Sequence, residues 1–178
     1  MTKKNQGLTQ GKLDNLCGIY AIINIIKKLH NIKEQAYLEK IFAEILQTIE
    51  GKDSKMKLSS IIIEGLSSRE LVKILNFDCV TNKITRIKGT KESSLDGFWR
   101  ILEDKLKKHN CAVLLGLSGK HDHWTVIDKV TSDGITLLDS DHLKHFDKRH
   151  CSLVKDNNNT HILHPAQTYF FIKNEKKL

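Results

Sequence analysis

The chain has 178 residues, of which 39% are hydrophobic and 28% charged, and its formal net charge is +8. That length supports one domain with a real core, and that composition excludes a disordered chain. No apolar run approaches the roughly 18–20 residues of a membrane span, and the scattered lysines form no nucleic-acid-binding tract.

Met1-Thr2-Lys3-Lys4-Asn5-Gln6 leads into no apolar signal core, so no secretory leader is expected. Cys17, Cys79, Cys111 and Cys151 are widely spaced and form no CxxC pair. Reduced thiols in the cytoplasm are the expectation, with release by a signal-free route left open. Residues 1–178 read as a single domain, without repeats or linkers.

In chain order, residues 1–12 are a polar leading segment carrying Gln6 and Gln10. Leu16, Ile19, Tyr20, Ile22, Ile23 and Ile26 then repeat with a helical period, predicting a buried helix over 15–30. Asp14 or Asn15 is placed to cap it. A second helix over 33–50 repeats apolar residues at Tyr37, Leu38, Ile41, Phe42, Ile45, Leu46 and Ile49 and stops at Gly51. Residues 57–63 suit either a short strand or a helix. Ser67-Ser68-Arg69-Glu70 is a capping-box pattern opening a short helix to Leu75. Cys79–Ile87 is β-branched and reads as a strand. Ser93 or Ser94 caps a helix through Lys108.

From Cys111 the pattern becomes β. Cys111–Leu117 and His123–Val130 read as strands, Ser132-Asp133-Gly134 as a turn, and Ile135–Asp139 as the returning strand. Weak strands are expected near 144–146 and 151–154, a polar loop over 155–159, and a final strand over 168–172. Helices first and an antiparallel sheet afterwards predict an α+β fold, with the cysteine-bearing helix against the sheet.

Cys17 lies in the first turn of the first helix, where the positive end of the helix dipole favours an anionic sulfur and so a nucleophile. Such a nucleophile needs a base, and the base needs an orienting group. His123 opens one strand and Asp139 closes the next, so a hairpin brings them to one end of the sheet. The backbone N–H of Cys17 and the Gln10 side-chain amide are candidate donors to an oxyanion.

Gln10, then Leu16-Cys17-Gly18-Ile19-Tyr20-Ala21, then His123-Trp124-Thr125-Val126-Ile127 and Leu137-Leu138-Asp139-Ser140, together resemble the papain-like cysteine peptidase superfamily. The compact bacterial C39-like peptidases are the most similar group. The resemblance covers the first helix and residues 111–140, not the stretch 31–110. It implies a papain-like fold with Cys17 as nucleophile, His123 as base, Asp139 as the orienting residue and Gln10 as oxyanion donor. It implies a protein or peptide substrate and no cofactor. One feature departs from the family pattern: its glutamine usually stands about six positions before the cysteine, whereas Gln10 stands seven before Cys17.

Plainer readings accompany each residue. Cys17 on an apolar helix is also what a core cysteine looks like. His121, two residues from His123, is the rival base, and Asp128 the poorer orienting residue. Asp139 is also readable as a turn aspartate beside Asp141. His142, His145, His150, Cys151, His161 and His164 crowd the C-terminal third, but their spacing matches no zinc site. The same Cys-His-Asp set serves a peptidase, a protein glutamine deamidase or an acyltransferase. A silent peptide-binding module would keep the fold without turnover.

Overall fold

The computed structural model describes residues 7–12, 14–51, 54–87, 92–107, 111–155 and 161–175. The fold is α+β, with the α-helices in the first 107 residues and all strands but one after them. Helix α1 (Cys17–His30) starts two residues later than expected. Leu16 takes the N-cap position, and neither Asp14 nor Asn15 caps. Their polar groups are committed elsewhere. Asp14 accepts from the N–H groups of Gly11 (2.8 Å) and Leu16 (3.3 Å). Asn15 donates its N–H to Ile62 O (3.0 Å) and its side-chain amide to Ile63 O (2.6 Å). The helix ends at Asn31, which adopts the left-handed conformation (φ 51°) that lets its N–H reach back to the last turn.

Helix α2 (Gln35–Glu50) buries Leu38, Ile41, Ile45 and Ile49, while Tyr37, Phe42 and Leu46 of the expected apolar face are only partly buried at its edges. The ambiguous stretch is helical, as α3 (Leu58–Glu64), and is stopped by Gly65 at φ 81°. Helix α4 (Ser68–Ile74) opens on the expected capping box. Ser67 accepts from the Glu70 N–H, and the Glu70 carboxylate accepts from the Ser67 N–H.

The strand expected over 79–87 is half wrong. Its first part is a single turn, α5 (Asp78–Thr81), and only β1 (Ile84–Ile87) is extended. Phe77 O accepts from both Val80 N and Thr81 N, and the turn drives Val80 fully into the core. Burial there outweighs the β preference of Val and Thr. Helix α6 (Leu95–Lys107) begins at Ser94, whose hydroxyl accepts from the Gly97 N–H at 3.1 Å. Its expected last residue, Lys108, lies outside the described residues.

The remaining strands are β2 (Cys111–Gly119), β3 (His123–Val130), β4 (Gly134–Leu138), β5 (His145–Asp147), β6 (Cys151–Ser152) and β7 (His161–Lys173). The sheet path is β1-β7-β2-β3-β4-β5 with every neighbour antiparallel, while the two-residue β6 runs parallel to β7. The polar loop expected at 155–159 falls mostly outside the described residues. Strand β7 starts seven residues earlier than the expected Thr168. Pro165, which suits no strand interior, and the lack of alternation over His161 to Gln167 hide this half, and the β2–β7 register shifts between Leu115 and Leu117 beside it.

The core has two layers, one on each sheet face. Ala112, Leu114, Trp124, Val126 and Leu138 face α1 and the other early helices. Val113, Leu115, Ile127, Leu137 and Phe170 face α6. Strand β2 is buried on both faces, which is why its sequence is continuously apolar. No described helix is long and apolar enough to cross a membrane.

Candidate active site

The register of β3 and β4 builds the site. Val126 pairs with Leu138, so Asp139, the next residue after β4, falls across from Thr125. His123 lies two residues before Thr125 and so on the same sheet face, diagonal to Asp139 and within reach of it. The His123 Nε2 to Asp139 Oδ2 distance is 2.8 Å. The His123 side chain is 7% exposed and that of Asp139 is 0% exposed. The other Asp139 oxygen accepts from the N–H groups of Asp141 (2.7 Å) and Leu143 (3.1 Å). Thr125 adds an electrostatic contact to Asp139 that falls short of hydrogen-bond geometry.

With Nε2 committed to Asp139, Nδ1 is the ring nitrogen left for Cys17, whose side chain acts on the ring electrostatically. Burial of the ring lowers the His123 pKa. The bond to Asp139 and its negative charge, with a further contribution from Cys17, outweigh it and raise the pKa to about 10. Burial pushes the Asp139 pKa up, but the bond and charge of His123 and the donated N–H bonds hold it below its ordinary value.

Cys17 reaches His123 because α1 packs its N-terminal end where β3 begins. Gly18 permits the approach: a Cβ there would stand 2.8 Å from Leu66 Cδ1 and 3.2 Å from Leu71 Cδ1. Trp124, on the sheet face opposite to His123, donates its indole N–H to Leu66 O at 3.0 Å. That bond ties the α3–α4 connection to β3. Between them lies a cleft of about 540 Å³, lined by Gln10, Cys17, Leu66, His123, Trp124 and Gln167 among others.

Gln10 is brought there by the leading segment. Asn24, buried in α1, accepts from the Leu8 N–H at 2.7 Å. Gly7 passes so close to Asp139 that a Cβ would sit 3.0 Å from its carbonyl oxygen. The Gln10 N–H donates to Ser140 O (2.9 Å), and the Ser140 hydroxyl donates to Gln10 Oε1 (3.1 Å). This leaves the Gln10 amide nitrogen as the donor facing the cleft. Asp14 accepts from the Gly11 N–H at 2.8 Å and ties this segment to the start of α1. Gln6 lies outside the described residues.

The structure therefore gathers Gln10, Cys17 and His123 at one cleft, with Asp139 enclosed behind the His123 ring. It sends the rivals elsewhere. His121 stacks on His161, with ring centroids 5.8 Å apart, and Asp128 pairs with Lys28 at 3.0 Å. His164 shares a 2.7 Å hydrogen bond with Ser118. Burial raises the pKa of Cys79, with the Glu44 charge second, and raises that of Cys151 to about 12, aided by the charge of Asp147. Among the described residues no group of three or more His, Cys, Asp or Glu is arranged to hold a metal ion.

Sequence reasoning missed Asn24, Ser140 and the 64–70 wall. Asn24 did leave a signal, as the lone polar residue within Ile22-Ile23-Asn24-Ile25-Ile26. Ser140 and the wall left none, because their roles depend on tertiary contacts. No protein-family model matches the chain, and a comparison with curated proteins finds no match.

Proposed function

We propose that this chain is a papain-like thiol hydrolase, a cysteine peptidase attacking a peptide amide through Cys17, with His123 as base and acid and Asp139 as its orienting residue. The observation that carries this reading is that Cys17 and His123 line one cleft of about 540 Å³, with the enclosed Asp139 carboxylate 2.8 Å from the His123 ring.

His123 takes the Cys17 thiol proton, the sulfur bonds to the carbonyl carbon, and the carbonyl oxygen takes the displaced electron pair. The Cys17 N–H, not consumed by the helix, and the Gln10 amide are placed to stabilise that oxyanion. His123 passes its proton to the leaving nitrogen, the C–N bond breaks, and an acyl-thioester remains. His123 then takes a proton from water. The resulting hydroxide attacks the thioester, the C–S bond breaks, and the acid departs. Asp139 stays ionised throughout and fixes which ring nitrogen faces the sulfur.

The test is a proteome-derived peptide library incubated with the wild type and with Cys17→Ala, read by mass spectrometry. New peptide termini that appear only with Cys17 are the expected result. A gain of about one dalton on glutamines without cleavage would replace the peptidase by a deamidase using the same thioester chemistry. No Cys17-dependent product of either kind would overturn the hydrolase reading.

A further inference from the structure

The chain carries 29 Lys and Arg against 21 Asp and Glu, yet the cleft reverses that balance. Its described lining includes Glu64, Glu70, Asp122 and Asp141 and no Lys or Arg. Glu64 and Glu70 come from the α3–α4 connection, whereas Asp122 immediately precedes β3 and Asp141 follows Asp139. The acidic side chains thus reach the cleft from two separate parts of the fold.

Most of this charge is unspent. Glu70 is committed to the capping box of α4. Among the described residues, no Lys or Arg forms an ion pair with Glu64, Asp122 or Asp141, and no hydrogen bond engages their carboxylates. Carboxylates at the mouth of a concave site, beside low-dielectric walls, focus a negative potential into it. On a chain of net charge +8, a cationic group is repelled by the general surface and attracted at this opening.

We propose that the cleft takes a peptide or protein segment bearing Lys or Arg beside the attacked amide, recognised by Glu64, Asp122 and Asp141. The substrate is thereby basic rather than acidic, opposite to what the net charge alone suggests. This rests on the hydrolase reading for the word "attacked", but the charge preference of the cleft is measurable without turnover.

Two measurements on the full chain test it. In the first, Cys17 is labelled with two methanethiosulfonates of similar size and opposite charge, one bearing a trimethylammonium and the other a sulfonate. The cationic reagent reacts faster, and the cation-to-anion rate ratio falls about tenfold in Glu64→Gln/Asp122→Asn/Asp141→Asn, since three unit charges lining the cleft act with opposite sign on the two reagents. A ratio near one, or one untouched by the triple variant, overturns the proposal. Glu70 is left in place because it caps α4, which protects the fold of the variant.

In the second, Cys17→Ala is titrated with fluorescein-labelled Gly/Lys and Gly/Glu peptides, read by anisotropy. The Lys peptide binds, and binding weakens with salt and in the variant that adds the three rim substitutions. Tighter binding of the Glu peptide overturns the proposal, because the basic outer surface then dominates. Neutral iodoacetamide keeps the two readings apart. A Cys17 inert to it defeats the hydrolase but not the Lys preference of the peptide arm. A reactive, His123-dependent Cys17 with no charge preference defeats only the present proposal.

Discussion

The His123 ring is nearly enclosed, which disfavours its charged form, yet its bond to Asp139, with a further contribution from Cys17, holds a proton on it to about pH 10. Its folded pKa is thus above the unfolded value, so its stabilising contribution is complete below about pH 6.5 and is lost as pH rises toward about 10. Asp139 has the opposite sign. Its folded pKa is depressed, so its contribution is present above about pH 3.9 and is lost on acidification. The stability margin of the wild type over Asp139→Asn is therefore expected to peak between about pH 5 and 6.5 and shrink toward about pH 10. Urea unfolding at a series of pH values measures it, and a margin flat across that range would contradict the pair. At Gln10, removal of the amide in Gln10→Ala is expected to cut product formation by about 10²–10³ while leaving Cys17 alkylation intact, as for loss of one oxyanion donor. An equal loss of alkylation would mean that Gln10 supports the thiol instead.

At the level of elements, α1 and the α3–α4 connection meet through Gly18 and Trp124. Gly18→Val puts carbons where Leu66 and Leu71 already stand and is expected to cost about 1–3 kcal/mol in thermal or urea unfolding. Trp124→Phe keeps the ring but strands Leu66 O. Its expected effect is a loss of about 1 kcal/mol in stability and a raised KM with little change in the Cys17 alkylation rate. What was legible in the sequence follows the same physics. The Ser67 capping box and the Leu38–Ile49 stripe are local patterns, and the elements they predict are present. The start of β3 at His123 was readable because polar residues give way to an apolar run there. The α5 turn was not, since only tertiary burial of Val80 selects it. Nor was the β3–β4 register, which shifts between Ile127 and Lys129 and yet decides that Asp139 stands across from Thr125.

Across the whole molecule, the candidate site draws on the leading segment, the start of α1, the 64–70 wall and the facing ends of β3 and β4. No single part of the chain contains it. Any preference of small reagents for Cys17 over the other thiols should therefore vanish along the same urea curve as tryptophan fluorescence, and a preference that outlasts unfolding would be a local property of residues 14–18. The most direct measurement is the alkylation rate of each cysteine by iodoacetamide between about pH 5 and 9, resolved by peptide mass spectrometry in the wild type and in His123→Ala. The expected result is that Cys17 reacts far faster than Cys79, Cys111 and Cys151 at about pH 6 and that His123→Ala removes the difference. A Cys17 that is inert, or equally reactive without His123, would contradict the thiolate–imidazolium pair on which the proposed function stands.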